Sequence, residues 1–210
     1  MKKLFSIFLI FIMSFASVWA QGRLGLQFSP TIPVYHISHV QEGSSMDVSS
    51  HGIRPVFGLS IDIPLGQTYF IGTGAGYIST PLTVTYLSDN SMEITNKYKL
   101  QHIQIPLTFR MLTDEIAIDK RIYVQIGSLM EVLVYSDDTY SKPALIERFN
   151  PVTFTFYCGA GVEFQMGTRT ILTAGLSYNR GISNMISEDN IGNSILLKKD
   201  MFSLDIGIRF

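Results

Sequence analysis

His36, His39 and His51 fall within sixteen residues of one another, with Glu42 and Asp47 between them. This is the densest group in the chain that could ligate a metal or assist acyl transfer. A metal site needs ligands that converge at fixed geometry, and His-x-x-His in a polar stretch does not by itself supply that. Solvated loop histidines are therefore expected, with a loop His, Ser and Asp constellation for lipid acyl transfer as an open alternative. No Gly-x-Ser-x-Gly nucleophile elbow occurs in the chain. Gly72-x-Gly74-x-Gly76 resembles a piece of a nucleotide fingerprint but lacks the helix such a loop must open, so a stripe of small residues in a strand is the expected reading. The single Cys158 can form no internal disulfide and no multi-cysteine zinc site. Asp137-Asp138 and Glu188-Asp189 read as solvated acidic pairs, with divalent-cation contact near lipopolysaccharide as the alternative. No cofactor and no metal are expected, and the chain is not expected to be an enzyme.

The elements that would position these residues follow from composition and period. The chain has 210 residues, 16% of them charged against a usual ~25%, with 17 Gly and 12% aromatics. A net charge of −1 excludes the basic excess of a nucleic-acid binder. Residues 1–20 carry Lys2 and Lys3, a short apolar stretch, and Val18-Trp19-Ala20, the pattern of a cleaved signal peptide. The stretch is shorter than the ~20 apolar residues a spanning helix needs. Cleavage leaves 14 basic residues against 17 acidic, a charge of −3 on residues 21–210.

After the leader, the period is two. Phe202, Leu204, Ile206, Ile208 and Phe210 alternate with Ser203, Asp205, Gly207 and Arg209. The same alternation runs through 103–111 and, at greater length, 152–164. Weaker copies occupy 24–28, 57–63, 69–77, 122–134 and 172–178, which makes eight strands and no helix. Links are short at 64–68, 113–120 and 166–169. They are long and polar at 36–52, 80–97, 136–150 and 181–198. Short turns at one end and long connections at the other are the pattern of an outer-membrane barrel, and an even strand number removes sheet edges.

Parity sorts Leu, Ile, Val, Phe and Ala onto one face and Gly, Ser, Thr and a few charges onto the other. A face turned to water carries more Lys and Glu than this one, so the polar face is expected inside and the apolar face against lipid. The interior is expected to be a packed polar plug, since eight strands enclose room for side chains and little else. Its charges are Arg23, Arg54, Arg110 and Arg209 against Asp62, Glu131, Glu163 and Asp205, expected as structural ion pairs in which Arg suits buried, multiply bonded pairing. Phe28, Tyr35, Tyr69, Tyr77, Tyr98, Phe109, Tyr135, Tyr178 and Phe210 are expected in two interfacial girdles.

Several stretches carry a family resemblance. They are Leu100-Gln101-His102-Ile103-Gln104-Ile105-Pro106-Leu107, Tyr123-Val124-Gln125-Ile126-Gly127 and Gly159-Ala160-Gly161-Val162-Glu163-Phe164. Leu176-Ser177-Tyr178-Asn179-Arg180-Gly181-Ile182-Ser183-Asn184 and the terminal Gly207-Ile208-Arg209-Phe210 complete the set. The chain resembles the PorT-like outer-membrane β-barrel family of Bacteroidetes-type bacteria, and departs from it at Ser128-Leu129-Met130-Glu131. The terminal aromatic resembles the signal read by the outer-membrane assembly machinery. The expectation is thus an all-β, eight-stranded antiparallel up-and-down transmembrane β-barrel in the outer membrane of a Gram-negative envelope. Its expected partners are outer-membrane lipid and lipopolysaccharide, the assembly machinery during biogenesis, and an envelope protein, with no nucleic acid. The expected role is surface binding or envelope organisation through four extracellular loops. The alternatives are an accessory component of a secretion or envelope complex, an outer-membrane lipid-modifying enzyme, and a soluble periplasmic ligand-binding barrel.

Overall fold

The computed structural model describes residues 22–38, 45–50, 52–87, 93–140, 146–189 and 195–210. Residues 1–20, expected as a leader, and His39, Glu42 and His51 lie outside them. In chain order the strands are β1 (Arg23–Ser38), β2 (Ser45–Ser49), β3 (Arg54–Pro64), β4 (Tyr69–Leu87), β5 (Glu93–Leu112) and β6 (Lys120–Tyr140). They continue as β7 (Ile146–Phe149), β8 (Val152–Gln165), β9 (Ile171–Gly181), β10 (Ile186–Asp189) and β11 (Leu196–Arg209). The eight long strands pair antiparallel in the order β1-β3-β4-β5-β6-β8-β9-β11, and β11 returns to β1 with Leu26 opposite Ile208. Closure leaves the barrel no free edge where the ring of strands is complete.

Alternation sets the faces as expected. Leu26, Leu59, Leu107, Leu176 and Phe202, from five different strands, are all more than half exposed on the outside. An apolar belt of that extent around a wall is a lipid-facing surface; a water-soluble monomer does not expose one. Turned inward between these residues are Asp62, Gln104, Arg110, Glu163, Asp205 and Arg209, all buried.

Two expectations need correction. The stretches 36–52, 80–97, 136–150 and 181–198 are not simply long loops. β4 runs on to Leu87 and β5 starts at Glu93, β6 continues to Tyr140, and β2, β7 and β10 lie inside the other connections. The physical reason is a change of phase. Along the belt Tyr69 and Tyr77 of β4 point out; past it Ile78, Leu82 and Val84 point in and are wholly buried. On β5, Tyr98 and Leu100 point in while Lys97 and Lys99 are exposed. A strand that leaves lipid for water must reverse its alternation, so a pattern followed with fixed phase ends at the belt.

The interior is also not polar throughout. Leu82, Val84, Tyr98, Leu100, Ile146, Met185, Ile186, Ile195 and Leu197 form one apolar cluster, joined by Tyr35, Ile37 and Phe149. Tyr35 and Tyr98 therefore belong to this cluster and not to a girdle, whereas Phe28, Tyr69, Tyr77, Phe109, Tyr135 and Phe210 are exposed. The cluster closes the long-connection end of the barrel. β7 and β10 pair with each other over it, and β2 pairs with the extended part of β4.

Asn184 ties this cap together. Its Oδ1 accepts from the Leu197 N–H at 2.8 Å and the Ile186 N–H at 3.2 Å. Its Nδ2 donates to the carbonyls of Ile186 and Ile195 at 2.9 and 3.1 Å.

Candidate functional site

The lumen is built in layers, each set by the inward positions of the strands. The layer nearest the short turns is ionic. Arg110 on β5 reaches Glu163 on β8 at 2.7 Å and Asp62 on β3 at 3.3 Å. Arg209 on β11 reaches the same two carboxylates, at 2.8 Å to Asp62 and 3.4 Å to Glu163. These four residues come from every second strand of the ring, so opposite walls are joined through charge-assisted hydrogen bonds. Aromatic faces take up the cationic planes: the Arg110 guanidinium lies 3.8 Å over the Tyr123 ring and that of Arg23 lies 4.6 Å over Phe70. Arg23 also stands 3.9 Å from Glu163 at the rim.

Glycine makes room for this layer at Gly161 and Gly175. A Cβ on either would overlap the Tyr123 ring, so these positions admit the phenol under the Arg110 plane.

Above the ionic layer lies a cavity of about 80 Å³, lined by polar side chains such as Gln27, Ser29, Gln104 and Asp205 and by apolar ones such as Val56, Leu129 and Met201. Asp205 does not follow the ion-pair expectation. It accepts from Ser29 Oγ at 2.6 Å, Gln27 Nε2 at 3.3 Å and Tyr157 OH at 3.3 Å. No cation among the described residues pairs with it. The space is large enough to hold several waters, with Asp205, Gln27, Gln104 and Asn179 on its walls to bind them.

The third layer holds a pair that sequence reasoning missed. Lys199 Nζ lies 2.9 Å from both oxygens of Glu131, and Gln104 Nε2 donates to Glu131 Oε1 at 2.9 Å. Glu131 was expected in an interior pair, but Lys199 was not expected inside. It sits between the expected connection 181–198 and the alternation that starts at Phe202, and the continuation of β11 past the belt turns it inward. Arg54 is half-buried at the first position of β3, opposite Thr31 and eight residues along the strand from Asp62. It is not part of the Arg110 layer.

His36 lies on β1, not in a loop, and its Nε2 stands 3.3 Å from Asp200 Oδ2. Among the described residues no three His, Cys, Asp or Glu side chains converge as metal ligands. What the lumen can do chemically is hold opposite walls together: ion pairs at one end, the apolar cap at the other.

Comparison with known proteins follows this geometry. No curated protein sequence matches the chain. The fold is similar to Neisserial surface protein A, with a TM-score of 0.51 at 11% identity over 90% of this chain and 95% of that one. It is also similar to the outer membrane protein OprG from Pseudomonas aeruginosa, with a TM-score of 0.60 at 10% identity over 90% and 95% of the two chains. Such identities speak for fold alone. The model of the family described as outer membrane protein beta-barrel domain matches residues 19–187, well over half of the chain, and the chain belongs to that family.

Proposed function

We propose that the protein is a sealed, non-enzymatic outer-membrane barrel that holds a folded cap at the cell surface as a platform for binding and envelope organisation. In this reading residues 1–20 are removed on export, the short turns face the periplasm, and the interior ion pairs serve structure and not catalysis. One observation carries it: the strands do not stop at the lipid belt but continue into a cap with its own apolar core. Ordering residues beyond the bilayer costs about 1–2 kcal/mol each in backbone entropy, an investment that anchoring alone does not need. The filled lumen supports a non-conducting role.

Two measurements test the reading. Purified barrel in planar bilayers should give no stable conductance steps, and persistent ohmic steps would overturn the sealed lumen. Asp137→Cys, on the exposed extension of β6, should react with a membrane-impermeant thiol reagent on intact cells. Labelling only after lysis would reverse the orientation.

A PorT-like accessory role in a secretion or envelope complex is the second reading. It is favoured by the turn between β5 and β6, where Ile116 and Ile118 are 57% and 88% exposed and would offer apolar contacts to a periplasmic partner. A crosslinker placed at Ile118 that captures only lipid would count against it.

A further inference from the structure

We propose that the outer wall where β9, β11 and β1 meet carries a site for the phosphate of an outer-leaflet glycolipid, formed by Arg180, Lys198 and His36. The inference rests on the orientation proposed above and names a ligand chemistry which that reading leaves open.

Position comes first. The outward residues of β11 from Phe210 back to Phe202 are all apolar and exposed, nine residues end to end, and a tilted spanning strand needs about 9–11. The next outward positions are Asp200 and Lys198. On β1 the outward apolar run reaches Val34, and His36 follows it, directly opposite Lys198 in the ladder. On β9 Arg180 follows Tyr178 and stands opposite Phe156 of β8. Arg180, Lys198 and His36 are exposed, and each follows the outward apolar run of its own strand, although Phe154 and Ile182 remain exposed beyond Arg180. Phe156 stands beside Arg180, and Tyr178 and Phe202 face each other one outward position before Arg180, with their rings 4.7 Å apart.

Charge comes second. Asp200 is the single carboxylate of the group, and its oxygens are committed. Oδ1 accepts from the Gly181 N–H at 3.0 Å, and Oδ2 accepts from Tyr178 OH at 2.7 Å and lies 3.3 Å from His36 Nε2. Asp200 thus braces the end of β9 and the imidazole while offsetting one positive charge, which leaves the sector net positive. Lys99 on β5, also outward, differs: it stands directly opposite the carboxylate-bearing Asp137 in the ladder.

Ligand chemistry follows from the pair of surfaces. A guanidinium presents a planar fork to phosphate oxygens, and an ammonium adds a compact second charge. The apolar wall immediately below takes acyl chains. A ligand satisfying both halves is a phosphorylated lipid at the level of its headgroup, not a free anion.

The test uses the purified barrel in detergent, native mass spectrometry, and three probes: a bis-phosphorylated lipid A, its dephosphorylated counterpart, and inorganic phosphate as competitor. The wild-type barrel should retain the phosphorylated lipid, and the Arg180→Gln/Lys198→Gln double variant should retain about tenfold less, as expected for lost charge-assisted contacts. Lys99→Gln should match wild type. Heat-modifiable gel migration checks that each variant is folded; should the double variant fail, Arg180→Gln and Lys198→Gln singly should each lower retention several-fold. Equal retention of the dephosphorylated lipid, wild-type retention by the folded Arg180 and Lys198 variants, an equal loss in Lys99→Gln, or full competition by millimolar phosphate would each overturn the proposal. Whole-cell labelling at Asp137→Cys reports the orientation separately, so a failure of that reading is distinguishable from a failure of this site.

Discussion

Arg110 Nη2 meets Glu163 Oε1 at 2.7 Å inside the barrel, joining β5 to β8 across the intervening β6. Only 1% of the Arg110 side chain and 6% of that of Glu163 is exposed, so the contact is made out of reach of bulk water. Its partners in the same layer, Asp62 and Arg209, complete a ring from alternate strands. Removing one member of such a set leaves the others buried and uncompensated, which costs more than the pair itself contributes. Arg110→Leu should therefore destabilise the barrel by about 3–5 kcal/mol. Urea titration in detergent, followed by the shift between folded and unfolded gel bands, reads this directly. A midpoint within error of wild type would mean that the layer is not a unit.

Asp205 should behave in the opposite way. Its donors are the neutral groups of Ser29, Gln27 and Tyr157, and the Tyr157 hydroxyl is itself shared with Gln125. Asp205→Asn keeps an acceptor for Ser29 and removes a buried charge that has no counter-ion among the described residues. The expected change is within about 1 kcal/mol of wild type, of either sign. Asp62→Asn, which weakens contacts to both Arg110 and Arg209, should cost clearly more. Equal losses for the two in the same urea titration would show that the distinction between the layers is wrong.

How much of this is legible in the sequence depends on which solvent each strand faces. Phe202 to Phe210 and Phe154 to Phe164 alternate in one phase because one face meets lipid throughout, and those strands are read directly. At Ile78 and Leu82 the outer solvent changes, the alternation inverts, and the same chain looks like loop while it remains strand. Lys199 is hidden for the same reason: nothing local marks it as inward until β11 is known to continue. Asp62, Arg110, Glu163 and Arg209 are legible as inward charges from parity alone, but their convergence in one layer depends on the stagger between strands, which short motifs do not encode. The cap is not legible in any one stretch because it assembles residues as distant as Leu82 and Leu197.

Tyr123 gives a steric prediction. Gly175→Ala would place a methyl group against the phenol that lies under Arg110, with the Gly161 backbone behind it. The added methyl would also press on the Ala160 carbonyl, which cannot turn aside as a side chain can, so overpacking of about 1–3 kcal/mol is expected in the urea midpoint. Gly167→Ala, in the short turn with open space around it, should leave the midpoint unchanged. A neutral Gly175→Ala would indicate that the Arg110–Tyr123 stack is loose.

Asn184 separates the cap from the barrel. Its four hydrogen bonds join Leu197, Ile195 and Ile186, and Asn150 Nδ2 donates to its own carbonyl at 2.8 Å. None of these bonds lies in the ionic layer, and the lipid belt is untouched by them. Asn184→Ala strips the side-chain bonds and leaves the Leu197 and Ile186 amides without their acceptor, at a cost of about 1–3 kcal/mol for each one kept from water. The loss falls on the cap: amide hydrogen exchange should rise over 146–149, 184–189 and 195–197, while exchange in β8 below Phe156 and the urea midpoint of the barrel stay at wild-type values. If exchange instead rises along β8, β9 and β11 to the same degree, cap and barrel unfold together. The cap could then not rearrange around a partner while the membrane anchor holds.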